Sequence, residues 1–510
     1  MLENFLSGLS QATTLENLFF MFAGTVLGIV FGSIPGLTFS TALVLMIPLT
    51  FDLPAVCALS LLLGIYSGGM SGGAISAILL GIPGTPSAAA TVADGHPMYL
   101  KGEGGPALGM AVFASVFGGI FSLLMLMLVA PQLARFALSF GAPEIFSMLV
   151  FGLSTIISLS GGNLVKGLIA GAFGLFVTTI GLDPIMGTQR YVYGVVELME
   201  GVDIMPVMIG MFALPEIISS FQSVKKYGEK STTDAMQAKA TFPSWAVITR
   251  CFPLLCVSSA IGTGIGAIPG TGGPIASFIA YDVARKKNPA CGTGIIEGVA
   301  APEAANNGVT GGALIPLLTL AIPGDAATAI MLGAFLVHGI APGPLLFRDH
   351  GDVVYGIFLS ILIIYIMVLF IQMYGVRLFL KLMDVPKVGL MAVILVLSVV
   401  GSYAVKNSYL DIVLMGGFGV VSYFMRKYGF PVTPLILAVV LGVSIESNFR
   451  KALLFSDGSP AIFFSSFVSV AFLALSALML LSSSRAYFNI AASRTYTSFR
   501  RFVSKRGKKQ

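Results

Sequence analysis

Apolar runs recur along this chain from Leu18 to Ser482, and the residues between them carry too little charge to clothe a water-exposed surface. A helix needs about 20 apolar residues to cross a bilayer. In the first half the candidates are Leu18–Phe31 with its continuation, Val56–Leu80, Ala107–Ala130, Ile145–Leu159, Leu164–Ile180 and Pro206–Phe221. The second half offers Trp245–Ile261, Ala313–Ala321, Ala326–Ile340, Val353–Leu380, Leu390–Tyr403, Ile412–Met425, Pro431–Ser444 and Ala461–Ser482. Charged residues make up 10% of the chain, against about 25% in soluble domains. In hydrocarbon every backbone N–H and C=O must be satisfied internally, which helices achieve. The fold class that follows is an all-α polytopic membrane protein of about 11–13 transmembrane helices.

Charge divides the chain. Residues 1–17 precede the first apolar run, 18–221 and 245–456 form two transmembrane repeats, and 457–484 hold a final helix. The polar stretch 222–244, with Lys225, Lys226, Lys230 and Lys239, and the basic tail 485–510, with Arg500, Arg501, Lys505, Arg506, Lys508 and Lys509, are assigned to the cytoplasm, because basic residues are retained on that side. Working back from the tail puts Arg426, Lys427, Lys381 and Lys387 inside, and leaves Arg450 and Lys451 outside against the rule. No basic aromatic face suggests nucleic acid. Cys57, Cys251, Cys256 and Cys291 show no metal-type spacing, and no cleaved signal peptide is expected.

The two halves repeat each other. Gly28-x-x-x-Gly32-Ser33-Ile34-Pro35-Gly36 matches Gly262-x-x-x-Gly266-Ala267-Ile268-Pro269-Gly270, an offset of 266 − 32 = 234. Gly72-Gly73-Ala74 followed by Gly81-Ile82-Pro83-Gly84 resembles Gly311-Gly312-Ala313 followed by Ala321-Ile322-Pro323-Gly324. An outside start and an inside linker imply an odd number of crossings in the first half, so the repeats would be inverted. Pro followed by Gly stops a helix. Such a break is tolerated in a bilayer only where it is buried in protein or lines a cavity, and paired breaks point to a secondary transporter's binding site. The expectation is Pro-Gly-broken or re-entrant helices at the centre.

Exposed N–H groups at a half-helix start favour a carboxylate, and freed carbonyls favour a cation. The candidate substrate-binding residues are therefore Pro35, Gly36, Thr38, Gly84, Thr85, Ser87, Gly270, Thr271 and Gly272. The candidate coupling-ion residues are Asn306 and Asn307, whose amide oxygens suit a hard cation, with the intramembrane acids Glu303 and Asp325. The bland alternatives are kinked packing for the breaks, and a cap or interhelical amide bond for the asparagines. Glu144 and Glu216 each follow a proline and are read as first-turn helix residues.

Two long segments carry a family resemblance. Gly81-Ile82-Pro83-Gly84-Thr85-Pro86-Ser87-Ala88-Ala89-Ala90-Thr91-Val92-Ala93-Asp94-Gly95-His96-Pro97-Met98 resembles the signature of the large membrane subunit of tripartite tricarboxylate transporters. So does Gly298-Val299-Ala300-Ala301-Pro302-Glu303-Ala304-Ala305-Asn306-Asn307, running on to Pro323-Gly324. The resemblance covers about Leu18 to Gly442. It implies a permease subunit in a bacterial inner membrane, a small membrane subunit and a periplasmic solute-binding protein as partners, and import of a small di- or tricarboxylate. It also implies that sodium or protons drive uptake, with no other cofactor and no enzymatic activity. The family commonly has a small neutral residue after the second-half Pro-Gly, where this chain has Asp325.

Two rival classes compete. Gly69-Met70-Ser71-Gly72, with His338 on an apolar segment, has the look of an intramembrane serine protease, which needs a base within reach of the serine. A non-coupled channel subunit is the other.

Overall fold

A computed structural model describes residues 2–159, 163–227, 239–383 and 387–483. The basic tail and residues 228–238 of the linker lie outside the described residues. The first half contains α1 (Leu2–Ala12), α2 (Leu15–Ser33), α3 (Phe39–Met46), α4 (Ala55–Leu80), α5 (Val92–Leu100), α6 (Gly104–Ala137), α7 (Ala142–Leu159), α8 (Leu164–Val177) and α9 (Ile204–Tyr227). The second contains α10 (Trp245–Gly266), α11 (Gly272–Lys287), α12 (Glu297–Leu320), α13 (Ala326–Val337), α14 (Leu346–Asp349), α15 (Gly351–Met383), α16 (Lys387–Ala404), α17 (Tyr409–Lys427) and α18 (Thr433–Phe455). Phe467–Ser483 forms α19. Among the described residues, six helices are long and apolar enough to cross a membrane, and six shorter apolar helices accompany them. The protein is an all-α, multi-pass membrane protein, whose strands among the described residues are the short antiparallel pair Gly181–Leu182 and Gln189–Arg190.

The helices gather into two compact units that cut across the sequence halves. One comprises the chain up to Ser139 with Asp203–Phe424, and the other Phe140–Val202 with the chain from Met425. In the second unit, Asp183 accepts from the backbone N–H groups of Met186 (2.7 Å) and Ile185 (2.8 Å) and from Arg450 Nη1 (2.6 Å). The Met186 bond, then Arg450 and Ile185, hold the Asp183 carboxyl well below the usual carboxylate range. Glu446 pairs with Arg190 at 2.6 Å and with Arg450 at 3.2 Å. Arg450, the exception to the charge rule, is thus matched by two carboxylates.

In the first unit α4 is the enclosed helix. Its most apolar window is 94% buried, against 44–50% for the other five long apolar helices. Helix α2 packs along α4, and α10 packs along α12. The stretch before Ala313, too polar to read as a span, is the first part of α12, and Gly298–Thr319 is buried throughout. Because α12 faces protein on all sides, its glycines, asparagines and prolines meet no lipid. Pro302 and Pro316 lie within the helix. Glu144 takes the predicted first-turn position, accepting from Gly141 N at 2.9 Å. Glu216 does not, because α9 begins at Ile204 and carries Pro215 inside it.

All four Pro-Gly pairs fall between helices: α2 and α3, α4 and α5, α10 and α11, α12 and α13. Before the second and fourth, α4 and α12 end in left-handed caps at Gly81 (φ +67°) and Ala321 (φ +56°). The close approaches repeat as well. A β-carbon on Gly28 would lie 2.4 Å from Ile65 O, and one on Gly262 would lie 2.1 Å from Ala305 O. A β-carbon on Gly72 would lie 2.6 Å from Ile29 O, as one on Gly312 would lie 2.4 Å from Thr263 O. A β-carbon on Gly84 would lie 2.1 Å from Gly32 O, as one on Gly324 would lie 2.3 Å from Gly266 O. The offset is 263 − 29 = 234 between α2 and α10, and 312 − 72 = 240 between α4 and α12. The partner of Gly72 is therefore Gly312, one residue beyond the match read from Gly-Gly-Ala alone.

Candidate functional site

Register 240 aligns Tyr66-Ser67 of α4 with Asn306-Asn307 of α12, and Thr85 with Asp325. These positions meet in two half-sites within the first unit.

The first half-site surrounds the start of α11. A β-carbon on Gly273 would lie 2.8 Å from Asn306 Oδ1, 2.9 Å from Ser87 Cβ and 3.0 Å from Met70 Cε. Ser87 Oγ and Thr85 Oγ1 are 3.0 Å apart and both side chains are buried. Asn306 Nδ2 donates to Met70 O at 2.9 Å, which fixes the amide's orientation, since a carbonyl only accepts. Asn306 Oδ1 is left fully buried with no partner among the described residues.

The second half-site surrounds Asp325, the N-cap of α13. Its Oδ1 accepts from Thr328 N and Thr328 Oγ1, each at 2.8 Å, and Thr328 Oγ1 accepts from Asp325 N at 2.9 Å, forming a capping box. Its Oδ2 accepts from Tyr66 Oη at 2.7 Å. Phe39, at the start of α3, lies against Tyr66 with ring centroids 5.9 Å apart and the planes tilted by 37°. A β-carbon on Gly272, which lies in the left-handed region (φ +67°), would sit 3.8 Å from Asp325 Cβ, so the start of α11 runs beside the cap.

Glu303 lies one turn before Asn307 and is fully buried. Its carboxylate accepts from Thr91 Oγ1 at 2.5 Å and Ser115 Oγ at 3.3 Å. Asn307 Nδ2 donates to Glu303 O at 3.2 Å, and its Oδ1 has no partner among the described residues. Three of the four predicted ion residues thus share α12, and Asp325 follows just after it.

Other predicted residues are held locally. Thr38 caps α3, its Oγ1 accepting from Thr41 N at 3.3 Å. Thr271 Oγ1 donates back to Ile265 O at 2.5 Å and Ile268 O at 2.8 Å. Gly270 N donates to Gly324 O at 2.8 Å, tying two breaks together. Gly84 N reaches Gly73 O at 3.4 Å. Gly36, next to Pro35, has open space where a side chain would point and is not brought to either half-site. Ser71 donates to Gln372 Oε1 at 2.8 Å, and His338 Nε2 pairs with Thr50 Oγ1 at 3.0 Å. The serine and the histidine have separate partners, so the protease geometry is not formed. Tyr66, Thr91, Ser115 and Gly273 were not singled out by sequence reasoning. The alignment at 240 would have flagged Tyr66, opposite Asn306.

The Tyr66–Asp325 bond yields a prediction. A hydrogen bond to a charged group contributes about 1.5–3 kcal/mol, and a buried carboxylate stripped of its donor costs a similar amount. Tyr66→Phe is expected to destabilise the wild type by about that much. In an Asp325→Asn background, which keeps the cap, it should cost less than about 1 kcal/mol. A double-mutant cycle by thermal unfolding in detergent checks this, and equal costs in both backgrounds would count against it.

Residues 18–437 match the description "Tripartite tricarboxylate transporter TctA family". The chain belongs to that family. It is a family of transporters, not enzymes, and its members are large membrane subunits of tripartite tricarboxylate transporters. The chain is similar to an Agrobacterium vitis protein named "Uncharacterized 52.8 kDa protein in TAR-I ttuC' 3'region", 33% identical over 93% of this chain and 94% of that protein. A second, "Uncharacterized protein in TAR-II ttuC' 3'region" from the same organism, is 34% identical over 42% of this chain and 90% of that protein. No solved structure matches. The family signature Gly81–Met98 supplies Thr85, Ser87 and Thr91, and the second signature supplies Glu303, Asn306 and Asn307.

Proposed function

We propose that this TctA-family chain imports a small di- or tricarboxylate across a bacterial inner membrane, by symport with sodium or protons. It does so with a small membrane subunit and a periplasmic solute-binding protein that delivers the anion. One observation carries the proposal: two equivalent helix crossings, each ended by a Pro-Gly break, converge on buried polar groups that include two orphaned amide oxygens. Each buried acceptor left without a donor costs about 1–3 kcal/mol, which a bound cation would offset. The repeats are taken as inverted, so that each half-site serves one membrane face in turn. Substrate carboxylates are assigned to the breaks around Thr85, Ser87 and Gly272, and cations to the orphaned oxygens of Asn306 and Asn307. Glu303, between two hydroxyl donors, is the group able to carry a proton.

Proteoliposomes holding all three subunits are expected to accumulate a radiolabelled carboxylate from a panel of di- and tricarboxylates when a sodium or proton gradient is imposed. Liposomes with this chain alone should do so at under a tenth of that rate. Equal uptake without the partners refutes the division of labour. A flux that never exceeds equilibration under any gradient indicates a channel.

A further inference from the structure

The two half-sites are equivalent in backbone and opposite in polarity. In one, position 325 carries a carboxylate and position 66 presents the Tyr66 hydroxyl that donates to it. In the other, position 85 is the neutral Thr85, and position 306 presents the Asn306 amide oxygen, an acceptor without a donor. Where one half-site holds its own anion and the donor that satisfies it, the other holds no anion, and its amide oxygen receives from neither the Thr85 nor the Ser87 hydroxyl, which pair with each other. By the equivalence of the two half-sites, a carboxylate at position 85 would point toward position 306, whose amide oxygen repels it unless something positive lies between them.

Resting on the reading above, we propose that the Thr85–Ser87–Asn306 half-site is a cradle for a monovalent metal cation, completed only by a carboxylate of the transported anion. That carboxylate, lying beside the Thr85 side chain, plays the part of the Asp325 carboxylate in the other half-site, and the cation plays that of the Tyr66 hydroxyl proton. The cradle's own ligands are three neutral oxygens: Asn306 Oδ1, Thr85 Oγ1 and Ser87 Oγ. Hard cations accept such oxygens, but divalent ions call for several carboxylates. Neither an amide nor a hydroxyl is a base near neutral pH, so these atoms cannot hold a proton. Glu303, the nearby carboxyl group, is already engaged by Thr91, Ser115 and the Asn306 amide, so the three neutral oxygens bind a cation weakly by themselves. A substrate carboxylate without the cation would meet an unpaired acceptor in a dry site. Each ligand therefore needs the other, and this mutual need is a coupling mechanism: affinity rises reciprocally.

The test installs the missing anion. Thr85→Asp writes the second repeat's Pro-Gly-Asp into the first. In the full-length chain in lipid nanodiscs, sodium chloride is compared with choline chloride by thermal unfolding. Thr85→Asp is expected to respond to sodium alone, with a midpoint at least tenfold lower than the wild type's. The wild type should gain comparable sensitivity only when an acid it transports is present. A folded Thr85→Asp protein with the wild-type sodium response overturns the proposal. If Thr85→Asp does not fold, the wild type and Asn306→Ser decide. Transported acid should lower the sodium midpoint at least tenfold in the former and leave it unmoved in the latter, and any other pattern overturns the cradle. Sodium-driven import that is unchanged in Thr85→Asp overturns this inference alone. Absence of any carboxylate import by the complete three-subunit system overturns the reading beneath it.

Discussion

Asp94→Ala is expected to release the segment between α11 and α12 and to expose Cys291. Asp94 is fully buried in the family signature, and its carboxylate collects donors from the second repeat. Gly292 N lies 2.9 Å from both oxygens, Gly294 N and Ile295 N lie 2.7 and 3.0 Å from Oδ1, and Tyr281 Oη donates to Oδ2 at 2.9 Å. Gly292 (φ +97°) and Gly294 (φ +90°) adopt the left-handed conformation that turns successive N–H groups toward one point, which makes an anion-binding nest. Alanine at 94 would strand four donors, at about 1–3 kcal/mol each where water cannot reach them. Cys291 reports on the outcome. It is buried, and that burial, with Asp94 and Glu297 nearby, pushes its thiol up to about 11. Only the thiolate reacts with maleimide. Wild-type labelling of Cys291 should thus be slow at pH 8 and climb toward pH 11. In Asp94→Ala the curve should fall back to the ordinary thiol range, giving at least a tenfold faster reaction at pH 8. Asp94→Asn, which retains one acceptor, should lie between. The labelling is read in a chain whose other cysteines are replaced by alanine, and identical rates in all three proteins would show that Asp94 does not hold this segment.

The same residue illustrates what the sequence concealed. Asp94 stands in a long, specific motif, yet its partners are about two hundred residues away, and three of the four are backbone N–H groups, which have no side-chain signature. Asn306 and Asn307 could be singled out because two amides in an apolar neighbourhood have no cheap solution. Tyr66 could not, because a tyrosine among leucines and glycines is ordinary until the Asp325 carboxylate is found 2.7 Å away. The Pro-Gly breaks were legible because both residues act on the backbone where they stand, and each pair does end a helix. The length of α12 was not, because hydropathy measures fitness for lipid and α12 touches protein alone. Thr38 and Thr271 had the right chemistry for binding an anion but turned to local partners. A hydroxyl beside a helix terminus always has a backbone group within reach.

Alanine at Gly84 or Gly324 is expected to unfold the core rather than merely slow transport, and the two substitutions should do comparable damage. A β-carbon at Gly84 would sit 2.1 Å from Gly32 O, 2.6 Å from Ser76 Oγ and 3.1 Å from Gly73 Cα. At Gly324 it would sit 2.3 Å from Gly266 O and 2.7 Å from both Cα and Cβ of Ala313. Real β-carbons do not approach backbone oxygen so closely, and no rotamer change relieves the contact, because the obstruction is main chain. Relief requires the break to move away from α2 or α10, and the close-packed crossing leaves nowhere to move. Overpacking a core costs about 1–3 kcal/mol when side chains can adjust, so two helices locked backbone to backbone should lose at least that. Gly264→Ala is the control, since it lies in α10 with open space where its side chain would point. There alanine should be neutral or stabilise by about 0.5–1 kcal/mol, as expected for a helix interior. Thermal unfolding in detergent, scored by the fraction that remains monodisperse on size exclusion, should rank Gly264→Ala at or above the wild type. Gly84→Ala and Gly324→Ala should fall below it by similar margins. A large gap between those two would mean that the repeats, although built on the same crossing, do not bear equal shares of the core's stability.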